Sequence, residues 1–247
     1  MTRRLLADMV QTSTKNLAGI ISSAFSFTKI GFIILALVSS VYSYAQQNSN
    51  EQQEQYLKVI TERSAKIVNT LSITDSVKYK KVLALLVNQY TQLSNVHDQS
   101  KAVTAEIKKQ TLAPEESAVQ LKKAEEKKSS QLLQLHSSFL AHIKENLSDE
   151  QIELVKDGMT YRIFPITYAA YQDMILTLTA EQKTKIYGWL KEARELAMDE
   201  GSSDQKHAVF GKYKGRINNY LSAAGYDMKK EGEEWQKRID AKKSAQH

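Results

Sequence analysis

The sequence predicts an all-α protein, a multi-helix bundle of about seven to nine helices with one irregular aromatic loop. Three observations lead there. Only two prolines and nine glycines occur in 247 residues. Ala, Leu, Lys, Glu and Gln dominate, residues that lose little freedom in a helix. From Tyr56 onward, apolar positions recur three and four residues apart. A composition of 42% hydrophobic and 25% charged residues is that of a globular chain, long enough for a sizeable core.

The leading segment reads as a secretory signal, residues 1–45, removed to leave one helical domain over residues 46–247. The apolar run Ile30 to Val38 follows Lys29, and Ser43 and Ala45 are the small residues a signal peptidase prefers. The run is shorter than the roughly 18 to 20 residues that span a bilayer, so a retained anchor is the weaker reading and no membrane span is expected after cleavage. The region before the run is unusually long for a signal. Export places the protein in the periplasm, the cell envelope or outside the cell.

After a polar stretch to Gln55, Tyr56, Val59, Ile60, Ile67, Val68 and Leu71 mark a first helix. Thr74 and Asp75 cap a second, amphipathic through Val82, Leu86, Tyr90 and Leu93, and a thinner helix carries Val103 and Ile107. Pro114 suits a first helical position, followed by the acids Glu115 and Glu116. The charged run LKKAEEKK then predicts a solvated half-helix before the apolar end at Phe139, Leu140 and Ile143. Ser148 with Gln151, and Thr179 with Gln182, form capping boxes, each preceded by a leucine placed as a hydrophobic staple.

Between the boxes, DGMTYRIFPITY has strand-like or loop character, because Pro165 disfavours helical geometry at Phe164. It carries Tyr161, Arg162 and Tyr168, and irregular connections on rigid scaffolds are where sites tend to sit. An aromatic loop covering core is the competing reading. Asp199 and Glu200 close the next helix before Gly201, a C-cap, while Lys206 and His207 open the one after it; each charge has the wrong sign for its helix end. The two pairs can neutralise one another across the turn. Trp235, in the last charged helix, is expected to seal the core.

The stretch from Gly201 to Asp227 concentrates cations and aromatics, with no acid between Asp204 and Asp227. On a helical wheel Phe210, Tyr213, Ile217, Leu221 and Ala224 form a core face. Beside it run His207, Gly211, Lys214 and Asn218, while Lys212, Arg216 and Asn219 point elsewhere. An interior glycine costs about 1 kcal/mol against alanine, so Gly211 and Gly215 call for a reason such as close approach by a backbone or a ligand. Lys attracts an acid group, Asn donates and accepts, and aromatic faces receive a sugar ring. His207, Lys214, Asn218, Arg216, Lys212 and Tyr161 are therefore the candidate ligand-binding residues. In the alternative, His207, Lys214 and Asn218 bond neighbouring helices and the glycines permit packing.

At KHAVFGKYKGRINNYLSAAGYD, LVKDGMTYRIFPITY, LTAEQKTKIYGWLKEARELAMDEGSS and EEWQKR, the chain resembles a family of uncharacterised exported bacterial proteins. That family is catalogued as a domain of unknown function, described as sugar-binding and often found in polysaccharide-utilising bacteria. The resemblance covers roughly residues 55 to 240, in pattern alone before about residue 145. It implies an exported helical protein that contacts carbohydrate, including acidic plant-type polysaccharide, and it transfers no catalytic residues.

The expected function is an accessory protein binding an acidic, uronate-containing oligosaccharide or polysaccharide. A lyase or hydrolase on such sugars is the alternative, with His207 or Tyr161 moving the proton and Lys214 or Arg216 facing the carboxylate. No paired carboxylates stand out near the cluster. A chaperone-like or structural envelope protein is the third reading. Nucleic acid is not expected: the formal charge of +6 falls to about +3 without the leading segment, too small a basic excess. Cysteine is absent, and His97, His136, His142 and His207 show no four-residue ligand spacing, so neither a metal nor a cofactor is expected. Oligomeric state leaves no mark in the sequence.

Overall fold

The computed structural model describes residues 51–245. The segment read as a signal, residues 1–45, lies outside them. The chain clusters into two compact units, residues 1–58 and 59–247. Of the first, residues 51–58 are described, and they are helical. Among the described residues there is no strand, and no helix is long and apolar enough to cross a membrane.

Helix α1 takes residues 51–69. α2 runs Ser76–Lys109, and the Asp75 carboxylate accepts from the Val77 and Lys78 N–H groups at 2.7 and 3.2 Å. The separate thin helix expected around Val103 is instead the end of α2, since no proline or glycine interrupts it. α3 spans Pro114–Lys144 with Pro114 opening its first turn. It lies along α2. Its buried residues, Phe139 and Ile143, sit near its carboxyl end, and its charged first half stays solvated as expected. α4, Asp149–Met159, and α6, Ala180–Met198, each begin with the predicted capping box. Leu147 and Leu178 before them are buried.

The region around Pro165 differs from expectation. Helix α5 is Ile163–Met174, with Phe164 and Pro165 both inside its first turn. The first four N–H groups of a helix have no partner within it, so the missing proline donor is no loss there. Phe164 is buried in the core, and that burial overrides the local preference at the residue before proline. The irregular loop shrinks to a turn at Tyr161 and Arg162, both in the left-handed region at φ 57°.

α7, Ser203–Ala223, is capped by Ser202. Gly225 turns the chain at φ 95°, and Asp227 caps α8, Met228–Ser244. α6 packs against α4, α5 and α7. One core cluster joins Phe164 and Tyr171 of α5, Ile186 and Leu190 of α6, and Phe210 and Ile217 of α7. Helix α8 lies against α5 and α7 without burying a residue. Trp235 therefore does not seal the core. Its indole N–H donates to Asp173 Oδ2 at 2.6 Å, at the surface.

Candidate functional site

Helix α7 buries Lys206, Phe210, Tyr213, Ile217 and Leu221 at helical spacing. The predicted core face is present, except that Lys206 heads it and Ala224 is exposed. Next to that face, Lys214 and Asn218 open on a groove of about 360 Å³ between α5, α7 and α8, lined also by Thr167, Tyr171, Met228 and Trp235. The Tyr171 hydroxyl donates to Asn218 Oδ1 at 2.7 Å. Burial pushes the Tyr171 phenol up to about 12, so it stays a donor through neutral pH. Asn218 thereby keeps its amide nitrogen as the donor available to the groove. Among the described residues the Lys214 ammonium has no ion-pair partner. Trp235 is held by Asp173, and Arg238 from the same helix donates to the carbonyls of Asp173 and Met174 at 2.8 and 2.9 Å. These bonds fix the indole at the groove against the end of α5.

The predicted residues do not all meet there. His207 is exposed; its Nδ1–H donates to the Ser203 carbonyl at 2.8 Å, and its ring stacks on Tyr161 with centroids 5.7 Å apart. Lys214 lies seven residues on, about 10 Å along the helix axis at 1.5 Å per residue. Arg216 faces away, its guanidinium 4.8 Å from the Tyr213 ring and 3.7 Å from Glu192. Lys212 is exposed and lines neither this groove nor the cleft at Tyr161. At Gly211 and Gly215 an added Cβ would meet nothing within 4 Å. Neither glycine serves to admit another helix among the described residues.

Tyr161 and Arg162 line a second opening, a cleft of about 550 Å³ between α1 and α4. Val59, Ile67 and Leu154 supply apolar wall, and Arg63, Lys66 and Arg162 supply cations. The Arg63 guanidinium lies 5.8 Å from the Tyr161 ring and 5.9 Å from that of Tyr90. α4 approaches α1 closely here: a Cβ at Gly158 would sit 2.9 Å from the Ile67 side chain.

A third polar assembly is buried, and sequence reasoning missed it. Arg194, 1% exposed, donates Nη1 to Asp157 at 2.7 Å and Nη2 to Glu153 and Glu195. Burial works to lower its pKa, but the hydrogen bonds to Asp157 and Glu153 and their charges together outweigh it and raise the value. Lys156 pairs with Glu195 at 2.9 Å. His136 Nδ1–H donates to Asp199 Oδ2 at 2.9 Å, and this bond raises the imidazole pKa above its ordinary 6.5 although burial opposes it. His97 donates to the Asp199 carbonyl at 2.7 Å. Lys206, 3% exposed, donates to the carbonyls of Ala197 and Met198 at 2.7 and 2.9 Å, closing the end of α6. Burial pushes its ammonium down to about 8, with Asp199 and Glu200 acting in the opposite direction.

Among the described residues no ion pair joins the wrong-sign charges at this turn to one another: Asp199 pairs with His136, Lys206 with the carbonyls ending α6, and His207 with the Ser203 carbonyl. Gly201 is not a left-handed cap; a Cβ there would come 2.8 Å from the His97 ring. One signal for the cluster was available, since Leu190, Arg194 and Ala197 share a helical face whose apolar members are core. Among the described residues no group of three or more His, Cys, Asp or Glu is placed to hold a metal.

No curated protein matches the chain. Residues 57–241, which contain the groove, the cleft and the ionic cluster, match the family described as protein of unknown function, DUF3826, and the chain belongs to that family.

Proposed function

We propose that this protein is an exported accessory protein that binds an acidic, uronate-containing saccharide in the groove between α5, α7 and α8. One observation carries the reading. Lys214 and Asn218 open on the same groove as Trp235, with no carboxylate among the lining residues. A cation, an amide donor and an indole face are the three groups a uronate ring uses: charge for the carboxylate, hydrogen bonds for the hydroxyls and an apolar face for the ring. Two-carboxylate hydrolysis would need acids on both sides of the bond to be cut, so binding fits this lining better than cleavage.

Titration calorimetry with oligogalacturonides and neutral oligosaccharides of equal length tests it. The acidic set should bind, more weakly as salt rises. Lys214→Ala should weaken binding about 10- to 100-fold, as expected for a charge-assisted hydrogen bond of roughly 1.5–3 kcal/mol. No heat from folded protein, or unchanged binding by Lys214→Ala, would remove the saccharide reading.

A further inference from the structure

The cleft between α1 and α4 has features that the saccharide groove does not explain. Tyr161 and Arg162 are consecutive non-glycine residues at φ 57°, where a side chain crowds its own backbone and glycine or asparagine is preferred. The backbone of Arg162 joins α4 to α5, its N–H donating to the Asp157 carbonyl at 2.7 Å and its carbonyl accepting from the Ile166 N–H at 3.2 Å, and neither bond needs the arginine side chain. Its side chain makes no cap hydrogen bond to α5, and among the described residues it has no ion-pair partner. The turn also places Arg162 and Tyr161 in the lining of the cleft, beside Arg63 and Lys66. Asp157, also in the lining, is committed to Arg194, so Glu62 alone is left to offset the three cations.

The walls contributed by Val59, Ile67 and Leu154 are apolar, and Val59 and Leu154 are exposed. At about 550 Å³ the cleft has the size of a small-molecule site. A bare anion would leave those walls wet, and a neutral apolar molecule would leave the guanidinium groups unused. We infer that the cleft between α1 and α4 is a second binding site, for a small organic carboxylate with an apolar body, its head group held by Arg162, Lys66 and Arg63. A guanidinium fork matches a carboxylate in two parallel bonds, and the apolar body covers Val59, Ile67 and Leu154.

The full chain can be tested with the fluorescent anion anilinonaphthalenesulfonate as probe, competed by octanoate, by octanol and by oligogalacturonide. The dye should bind saturably and be displaced by octanoate far better than by octanol or the sugar. Arg162→Gly is the decisive variant. Glycine removes the backbone strain, so the thermal midpoint should hold or rise by a few degrees while dye affinity falls at least tenfold; Lys66→Ala should weaken the dye and leave the midpoint unchanged. Trp235→Ala, in the other opening, should leave dye binding intact. Absence of saturable binding, equal displacement by octanol, displacement by the oligosaccharide, or full affinity in both Arg162→Gly and Lys66→Ala would each overturn the inference. Loss of binding in Trp235→Ala would overturn it too, by placing the probe in the groove.

Discussion

The cluster around Arg194 and the stripe on α7 use the same residue types, and they differ in where the partners of their charges come from. Arg194 meets three carboxylates supplied by α4 and α6, and Lys206 meets two carbonyls at the end of α6. Both cations are answered from within the chain. Lys214, two turns beyond Lys206 on the same helix, is exposed on a groove and finds no counter-ion among the described residues. A cation answered internally holds the fold together, whereas one left open beside an oriented amide and an indole is available to a ligand. Sequence distance does not separate the two roles; the direction each side chain takes from the helix does.

The largest effect should come from breaking the internal set. Arg194→Leu strands Glu153 and Asp157 without their guanidinium, and the loss of one partner from a buried ion pair costs about 3–5 kcal/mol. Chemical denaturation should show a fall of that size, while Lys214→Ala should stay within about 0.5 kcal/mol of the native protein. Equal losses in the two variants would erase the distinction between them.

A smaller effect, confined to one pH window, should come from His136. Its neighbours are Asp199, Glu195 and Lys156, and the hydrogen bond to Asp199 raises its pKa in the folded state. A raised pKa means that folding takes up protons, so its contribution is complete below the unfolded value of 6.5 and is lost as pH climbs through the raised value. The thermal midpoint of the native protein should therefore decline over that interval relative to His136→Gln. Parallel pH profiles for the two proteins would show that the imidazole stays neutral in the fold and that its bond to Asp199 carries no charge.

The readable parts of this molecule were those fixed by short-range chemistry. The capping boxes at Ser148 and Thr179, Pro114 at a helix start, and the face Phe210, Tyr213, Ile217, Leu221 depend on residues within a few positions of each other, and all are present. The misread parts depend on partners far along the chain. Gly201 looked like a C-cap, but its constraint is His97, on α2. Trp235 looked like core, but α8 buries nothing, and its N–H reaches Asp173 of α5. Arg194 stands on a core face of α6 between Leu190 and Ala197, and what it does there depends on Glu153 and Asp157 of α4. Of the candidate site, the pairing of Lys214 with Asn218 followed from helical spacing. The placing of Tyr161 in another opening, with His207 stacked on its ring, did not, because it depends on the left-handed turn that leads into α5.

The smallest expected change has the opposite sign, and it measures how far along α7 the open region extends. Gly211 is exposed, and a Cβ there meets nothing within 4 Å, so Gly211→Ala should gain roughly 0.5–1 kcal/mol from the reduced entropy of the unfolded chain. Lys206, five residues earlier and buried, shows what a filled position on this helix looks like, whereas Gly211 is exposed. If the variant is stabilised and binds oligogalacturonide unchanged, the ligand is confined to the Lys214 and Asn218 end. If it is stabilised and binding weakens, the sugar chain runs back over the bare helix toward His207, and the glycine is kept at the expense of stability because the ligand needs the space.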